Sequence, residues 1–459
     1  MKQQWRSLVL ALCAGTAAIG AGIGTGVGTG IGEEGSGDIA VTRLPFTPDS
    51  GSIAIRCGRL IDGVGDTPLR DQLVIIRDGR IASVAPADAA PADLPLLALP
   101  THTCLPGLID THTHLADSGI DSADVLDILT PEQQLPLSRA NARTTLLAGY
   151  TVARDLGSYL AFGVNGIRDR INAGEDIGPR IQTAGFYLTI PGGGGDTIVP
   201  GRAPETIPAV LRAGVARGPE QFAEKARAAI AGGADVIKVI ASGAVLAYGG
   251  VPGAPEMTRA EIAAVVREAH AAGLKVAAHA HGAESIKDAI LAGADTIEHA
   301  SLADDESIRL AAARGVAFSM DIYDGDYISA VGRKEGWPEE FVRKGDETTE
   351  AQRQVFSAAV TAGVPLIYGT DSAVYPHGWN ARQFSYAVAR GQSPMAAIQS
   401  ATSVAAHFMG WEGQVGALKP GLLGDLIAVK GDPLADIRRL EQVSLVVKGG
   451  HVFKWRDVE

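Results

Sequence analysis

Histidines gather where apolar runs of the sequence end. The segment Pro106-Gly-Leu-Ile-Asp-Thr-His112-Thr-His114 closes one such run. Side chains two apart on a strand share a face, so His112 and His114 point the same way and can bind one ion. Val276-Ala-Ala-His279-Ala-His281 closes a second run, and Thr296-Ile-Glu-His299 a third. Neutral imidazole is a preferred zinc ligand, and a catalytic zinc site also keeps one position open for water. The residues alone leave open which of His279 and His281 is the ligand.

Lys238 is the unexpected residue, because it lies inside the apolar run Val236-Ile-Lys-Val-Ile240. Burying an ammonium there costs free energy and lowers its pKa. Taken alone, such a lysine reads as the partner of a nearby carboxylate. Beside the histidines a different reading is favoured: a neutral amine reacts with carbon dioxide and gives a carbamate, an anion able to bridge two cations. Asp371, in Ile367-Tyr-Gly-Thr-Asp371-Ser, can bind a metal and accept a proton from an attacking water. Its alternative role is to cap a helix N-terminus. Four imidazoles with these two anions suit a pair of divalent ions that activate a water. Zinc is the expected metal, and cobalt or manganese could substitute.

These residues need a scaffold that brings distant segments to one place. Eight short apolar runs alternate with Ala-rich helical stretches: Leu105–Asp110, Thr151–Leu156, Ile181–Phe186, Val236–Ala241, Val276–Ala280, Thr296–Ala300, Val316–Met320 and Pro365–Gly369. Helices are expected over Pro219–Ala231, Arg259–Ala272 and Ala283–Ala292, with glycine often ending them. The pattern predicts an α/β fold, a (β/α)₈ TIM barrel over 104–410, with the functional residues at the C-terminal strand ends. Ser118 and Tyr187 follow the first and third strands and could line the pocket. Arg154 and Asp155 end the second and read as structural pairing.

The flanks differ. Ile53–Val84 carries strand patterns broken by Asp62-Gly63 and Asp78-Gly79, and Leu426–Val429 and Leu445–Phe453 repeat the style around Gly449-Gly450. Both chain ends, 45–103 and 411–459, are expected to form one small β-sandwich. Residues 1–37 read as an export signal and Gly-rich linker: Lys2 and Arg6 precede the apolar run Ser7–Gly20. An exported, periplasmic or secreted protein follows, with no stable membrane insertion after cleavage near residue 20. Cys57 and Cys104 sit in apolar strand-like contexts and are expected to be free, although an oxidising compartment would allow them to pair. A net charge of -12 argues against nucleic acid or anionic membrane as the main partner. A hydrophobic fraction of 46% over 459 residues is enough for a large core.

The order H-x-H, Lys, His, His, Asp resembles the amidohydrolase superfamily. Leu105-Pro-Gly-Leu-Ile-Asp-Thr-His-Thr-His-Leu115, Gly149-Tyr-Thr-Val-Ala-Arg-Asp-Leu-Gly157 and His279-Ala-His-Gly-Ala283 are similar to its imidazolonepropionase-like branch. That branch includes Xaa-Pro dipeptidases and enzymes that hydrolyse ochratoxin A. The resemblance runs from about Ile53 to Phe453. It implies that His112 and His114 bind the more buried ion, that His279 and His299 bind the other, and that carboxylated Lys238 bridges them. It makes Asp371 a ligand and the general base and acid, leaving His281 to polarise the scissile carbonyl or hold a substrate carboxylate. Tyr248 resembles a residue that grips a product carboxylate. Pro191-Gly-Gly-Gly-Gly-Asp196 departs from relatives that carry a histidine there; a mobile Gly-rich lid is the plainer reading. The implied reaction is hydrolysis of small N-acyl amino acids or dipeptides, plausibly ochratoxin A, by a homo-oligomer. Ring opening of a cyclic amide is the second reading, and a non-catalytic metal- or solute-binding protein the third.

Overall fold

The computed structural model of the protein describes residues 51–88, 90–117, 126 and 129–456. The expected export signal and linker, and Ser118, lie outside the described residues. Between Leu108 and Ile367, parallel strands alternate with helices. Strands β5 (Leu108–Thr113), β6 (Tyr150–Asp155) and β7 (Arg180–Thr183) form one parallel sheet. A second runs from β8 (Tyr187–Leu188) through β9 (Val236–Ile240), β10 (Lys275–Gly282), β11 (Thr296–Leu302) and β12 (Ala317–Ser319) to β13 (Leu366–Ile367). Every residue of β9 is buried, as expected of parallel strands covered on both faces, and this is why they read as largely apolar runs.

Two of the eight runs differ from their sequence reading. The first is divided at Gly107, where the chain leaves one sheet for another; a Cβ there would approach Thr151 Oγ1 to 2.1 Å. Leu105 and Pro106 therefore end a strand of the accessory sheet. The third is interrupted by Gly185 at φ +77°, and beyond it Tyr187 pairs in register with Lys238. Backbone hydrogen bonds join β5 to the segment after β13: Thr111 N–H donates to Tyr368 O (2.8 Å), Asp371 N–H to His112 O (2.8 Å) and His114 N–H to Ser372 O (3.0 Å).

The helices begin and end on recognisable signals. In α1 (Pro131–Leu147), Thr130 and Gln133 close a capping box, and in α2 (Arg259–Ala271) Thr258 and Glu261 do the same. Next, α3 (Ala283–Ala292) and α4 (Asp305–Arg314) stop at left-handed Gly293 and Gly315, as does α5 (Glu339–Ala362) at Gly363. Among the described residues no helix is long and apolar enough to cross a membrane.

Both chain ends meet in one seven-stranded sheet. Its order is β16 (His451–Trp455), β15 (Val443–Lys448), β14 (Leu426–Lys430), β4 (Leu96–Pro106), β1 (Ile53–Leu60), β2 (Leu69–Arg77) and β3 (Arg80–Pro86). Asp78-Gly79 and Gly449-Gly450 turn its hairpins, all four residues with positive φ. One expectation is overturned here: Cys57 and Cys104 form a disulfide, with Cα atoms 5.9 Å apart. The parallel register of β1 on β4 shifts between Cys57 and Arg59, where Gly58 packs against the Pro100 carbonyl. That irregularity, invisible in either strand's own pattern, brings the two thiols together.

Candidate metal centre

The ends of the parallel strands deliver the expected residues to one place. His112 and His114 come from the end of β5, Lys238 from β9, His279 and His281 from β10, His299 from β11 and Asp371 from the segment after β13. His114 Nε2 lies 3.0 Å and His112 Nε2 3.4 Å from the same oxygen, Asp371 Oδ1. Lys238 Nζ is 3.4 Å from His112 Nε2. Ring centroids of His112 and His299 are 5.0 Å apart, of His279 and His299 4.5 Å, and of His281 and His299 4.8 Å.

Backbone distortion assembles part of this cluster. Consecutive strand residues normally face opposite sides, yet Glu298 and His299 both reach His112. His299 and Ala300 adopt φ of +70° and +50°, which breaks the alternation. Asp371 is also left-handed, at +53°. Each such non-glycine residue costs on the order of 1–3 kcal/mol, a strain that tends to persist where function needs it.

The electrostatics suit metal ligation. Burial, then the nearby Lys238, lowers His112 to about 4. Burial, then His299, lowers His281 to about 3, and the same causes take His279 well below its ordinary value. Burial lowers Lys238 from 10.5 to about 8. Burial disfavours the His114 cation too, but Asp371 outweighs it and raises the group to about 9. Burial likewise opposes ionisation of Asp371, and His112 and His114 outweigh that and hold its carboxyl below the usual range. His112, His279 and His281, kept neutral by burial, stand beside the Asp371 carboxylate and a destabilised Lys238, an arrangement that divalent cations satisfy once they displace the protons on His114 and Lys238. The donor atoms of His112, His299 and Asp371 lie within 4.8 Å of one another, as do those of His279, His281 and His299. His281 thus stands inside the cluster, with Ser301 Oγ 2.8 Å from its Nδ1.

A second layer holds the rings, and sequence reasoning missed most of it. His114 Nδ1 lies 2.7 Å from the Gly157 carbonyl, and His299 Nδ1 2.9 Å from Asp321 Oδ2. Glu298 Oε2 is 3.1 Å from His112 Nδ1. Arg154, read as structural pairing, pairs with Glu298 at 2.9 Å and not with Asp155, which accepts from the backbone N–H groups of Leu115 and Gly157. The missed signal was present: Glu298 is a charge in an apolar strand, the feature that singled out Lys238. Asp321 lacked any such local mark.

The cavity over the cluster is lined by Tyr159, Tyr187, Gly194, Gly195, Val245, Leu246, Ile328 and Val374 in addition to the polar groups. Tyr187 lines the cavity, its hydroxyl 3.2 Å from His114 Nδ1. Tyr248 is not among the residues that line the cavity: its ring packs on Phe341 at 4.8 Å, and the carbonyl of Ala247 before it accepts from Lys344 Nζ. Val245 and Leu246 face the cavity instead. The Gly-rich loop is pinned rather than free. Gly194 N–H donates to Glu256, Gly192 N–H to Asp196, and Arg212 grips Asp196. A Cβ on Gly195 would come within 2.8 Å of Ile240 Cγ1, so close packing requires glycine there.

The chain is similar to proteins already known. Residues 103–453 match the amidohydrolase family. Ochratoxinase from Aspergillus niger is 32% identical over 432 residues, covering 87% of this chain and 86% of its own. The crystal structure of that fungal enzyme superposes with a TM-score of 0.78 at 29% identity, covering 89% of this chain and 97% of its own. A Xaa-Pro dipeptidase with methionine bound in its active site superposes with a TM-score of 0.82 at 33% identity, covering 88% of this chain and all of that one. The chain is a hydrolytic enzyme and belongs to the amidohydrolase family.

Proposed function

We propose that this protein is a binuclear metal-dependent hydrolase of amide bonds in small N-acyl amino acids or dipeptides, with ochratoxin A a member of that substrate class. The observation that carries the reading is the convergence of His112, His114, Lys238, His279, His299 and Asp371, from four strands and the segment after β13, into one largely buried cluster. The parallel strands are read as one (β/α)₈ barrel, with β7 and β8 a single interrupted strand. The hydrogen bonds from β5 to the segment after β13 support closure.

His112 and His114 would hold one ion, His279 and His299 the other, carboxylated Lys238 would bridge them, and Asp371 would complete the set. Bound divalent ions supply Lewis acidity toward the carbonyl and make water nucleophilic near neutral pH. Asp371 takes the proton of the attacking water and returns it to the leaving nitrogen. His281, braced by Ser301, polarises the scissile carbonyl. Tyr187 and the apolar wall exclude water and orient the substrate. The names of the similar proteins, an ochratoxinase and a Xaa-Pro dipeptidase, support the substrate class.

The test is a screen of N-acyl amino acids, Xaa-Pro dipeptides and ochratoxin A with zinc-replete wild type and Asp371→Asn. Turnover of at least one class, lost in the variant, is expected. No turnover of any amide by the wild type would contradict the function, and an unimpaired variant would contradict the base. Export belongs to the same reading, and mass spectrometry of exported protein should find an N-terminus after about residue 20.

A further inference from the structure

We infer that Glu298, held by Arg154, is a positioning residue that fixes the ring and tautomer of His112 for the metal. The inference rests on the metal-centre reading above. Arg154 and Glu298 are both 0% exposed. One carboxylate oxygen, Oε1, accepts from Arg154 Nη2 at 2.9 Å and from Thr296 Oγ1 at 2.5 Å. The other, Oε2, lies 3.1 Å from His112 Nδ1. Arg154 also donates its Nε to the carbonyl of Thr111 at 2.5 Å, gripping the backbone directly before His112. A single guanidinium from β6 therefore anchors both the main chain of the ligand and the carboxylate behind its ring.

The consequence is directional. His112 Nδ1 and Glu298 Oε2 are both buried and have no hydrogen-bond partner, so an anion 3.1 Å from Nδ1 favours the proton on that nitrogen and leaves the Nε2 lone pair facing Lys238 and Asp371. Carboxylates behind metal-bound histidines act this way in general. The arrangement at His299 differs: Asp321 leans on the Gln352 amide at 2.8 Å and not on a cation. Packing alone does not explain a buried Arg–Glu pair, because apolar residues of similar volume usually stabilise a fold at least as well. The pair is better accounted for by what it does to His112.

The experiment compares wild type, the double variant Arg154→Met/Glu298→Gln, and Glu298→Asp. The double variant removes both charges, so neither is stranded. The aspartate keeps a partner for Arg154 and withdraws the oxygen from His112. Zinc affinity is read by competition with a chromophoric chelator, and apoprotein stability by thermal unfolding. Both variants should lose about 10- to 100-fold in zinc affinity, with the double variant's apoprotein melting no lower than wild type. Wild-type zinc affinity in either folded variant would overturn the inference. So would a lowered apoprotein midpoint with affinity unchanged, the signature of a structural role. If the double variant does not fold, the aspartate variant decides by the same criterion. A wild type that binds no zinc would instead sink the metal-centre reading itself.

Discussion

Lys238 offers the sharpest chemical prediction. Its side chain is buried, and burial lowers its pKa from 10.5 to about 8. About half the amine is then neutral at pH 8 and about a tenth at pH 7. At its ordinary value about 0.3% would be neutral at pH 8. Only the neutral amine attacks carbon dioxide, so the fold raises the reactive population by roughly two orders of magnitude. Apoprotein prepared with a chelator in carbon dioxide-free buffer should therefore take up zinc poorly until bicarbonate is added. The bicarbonate-dependent uptake should climb as pH rises through about 8 and then level off, because deprotonation, not protonation, makes the reactive form. Lys238→Ala should lose the bicarbonate effect, and a short carboxylic acid should restore part of the metal binding. Zinc uptake indifferent to bicarbonate, together with full metal content in Lys238→Ala, would refute the argument.

Other consequences are equally direct. Asp371→Asn should lower kcat by about 10²- to 10⁴-fold in steady-state assays of whichever amide the screen identifies. His281→Ala should retain both metals by elemental analysis while losing about 10²-fold in kcat; loss of one metal would reassign His281 as a ligand in place of His279. Replacing Cys57 and Cys104 with alanine opens a loop with a sequence separation of 47, which chain entropy values at about 4 kcal/mol. Thermal unfolding of that variant should show a lowered midpoint that reducing agent no longer changes.

How much of this was legible in the sequence depended on the range of the interaction. Helix ends were readable because capping is local: Ala283–Ala292 was expected and observed with the same bounds. The apolar runs were readable because strands buried on both faces carry few polar residues to obscure them. His112 and His114 followed from a two-residue spacing, and Lys238 from its contrast with its neighbours. What failed involved partners far apart in the chain. Arg154 and Glu298 are separated by 144 positions, and no pattern links them. The disulfide depended on a register shift near Gly58. Tyr248 was placed by resemblance, and its ring packs on Phe341, 93 positions along the chain. The choice between His279 and His281 also rested on resemblance, and in the structure both rings stand beside His299.

The central claim is that these six side chains hold two divalent ions over a hydrolytic cavity. It is tested most directly by anomalous diffraction at the zinc edge from crystals of zinc-replete enzyme. Two peaks are predicted, one among His112, His114 and Asp371, the other beside His279 and His299, with continuous density joining both to the Lys238 side chain. No peak in the cluster, or zinc bound only elsewhere on the protein, would contradict the account.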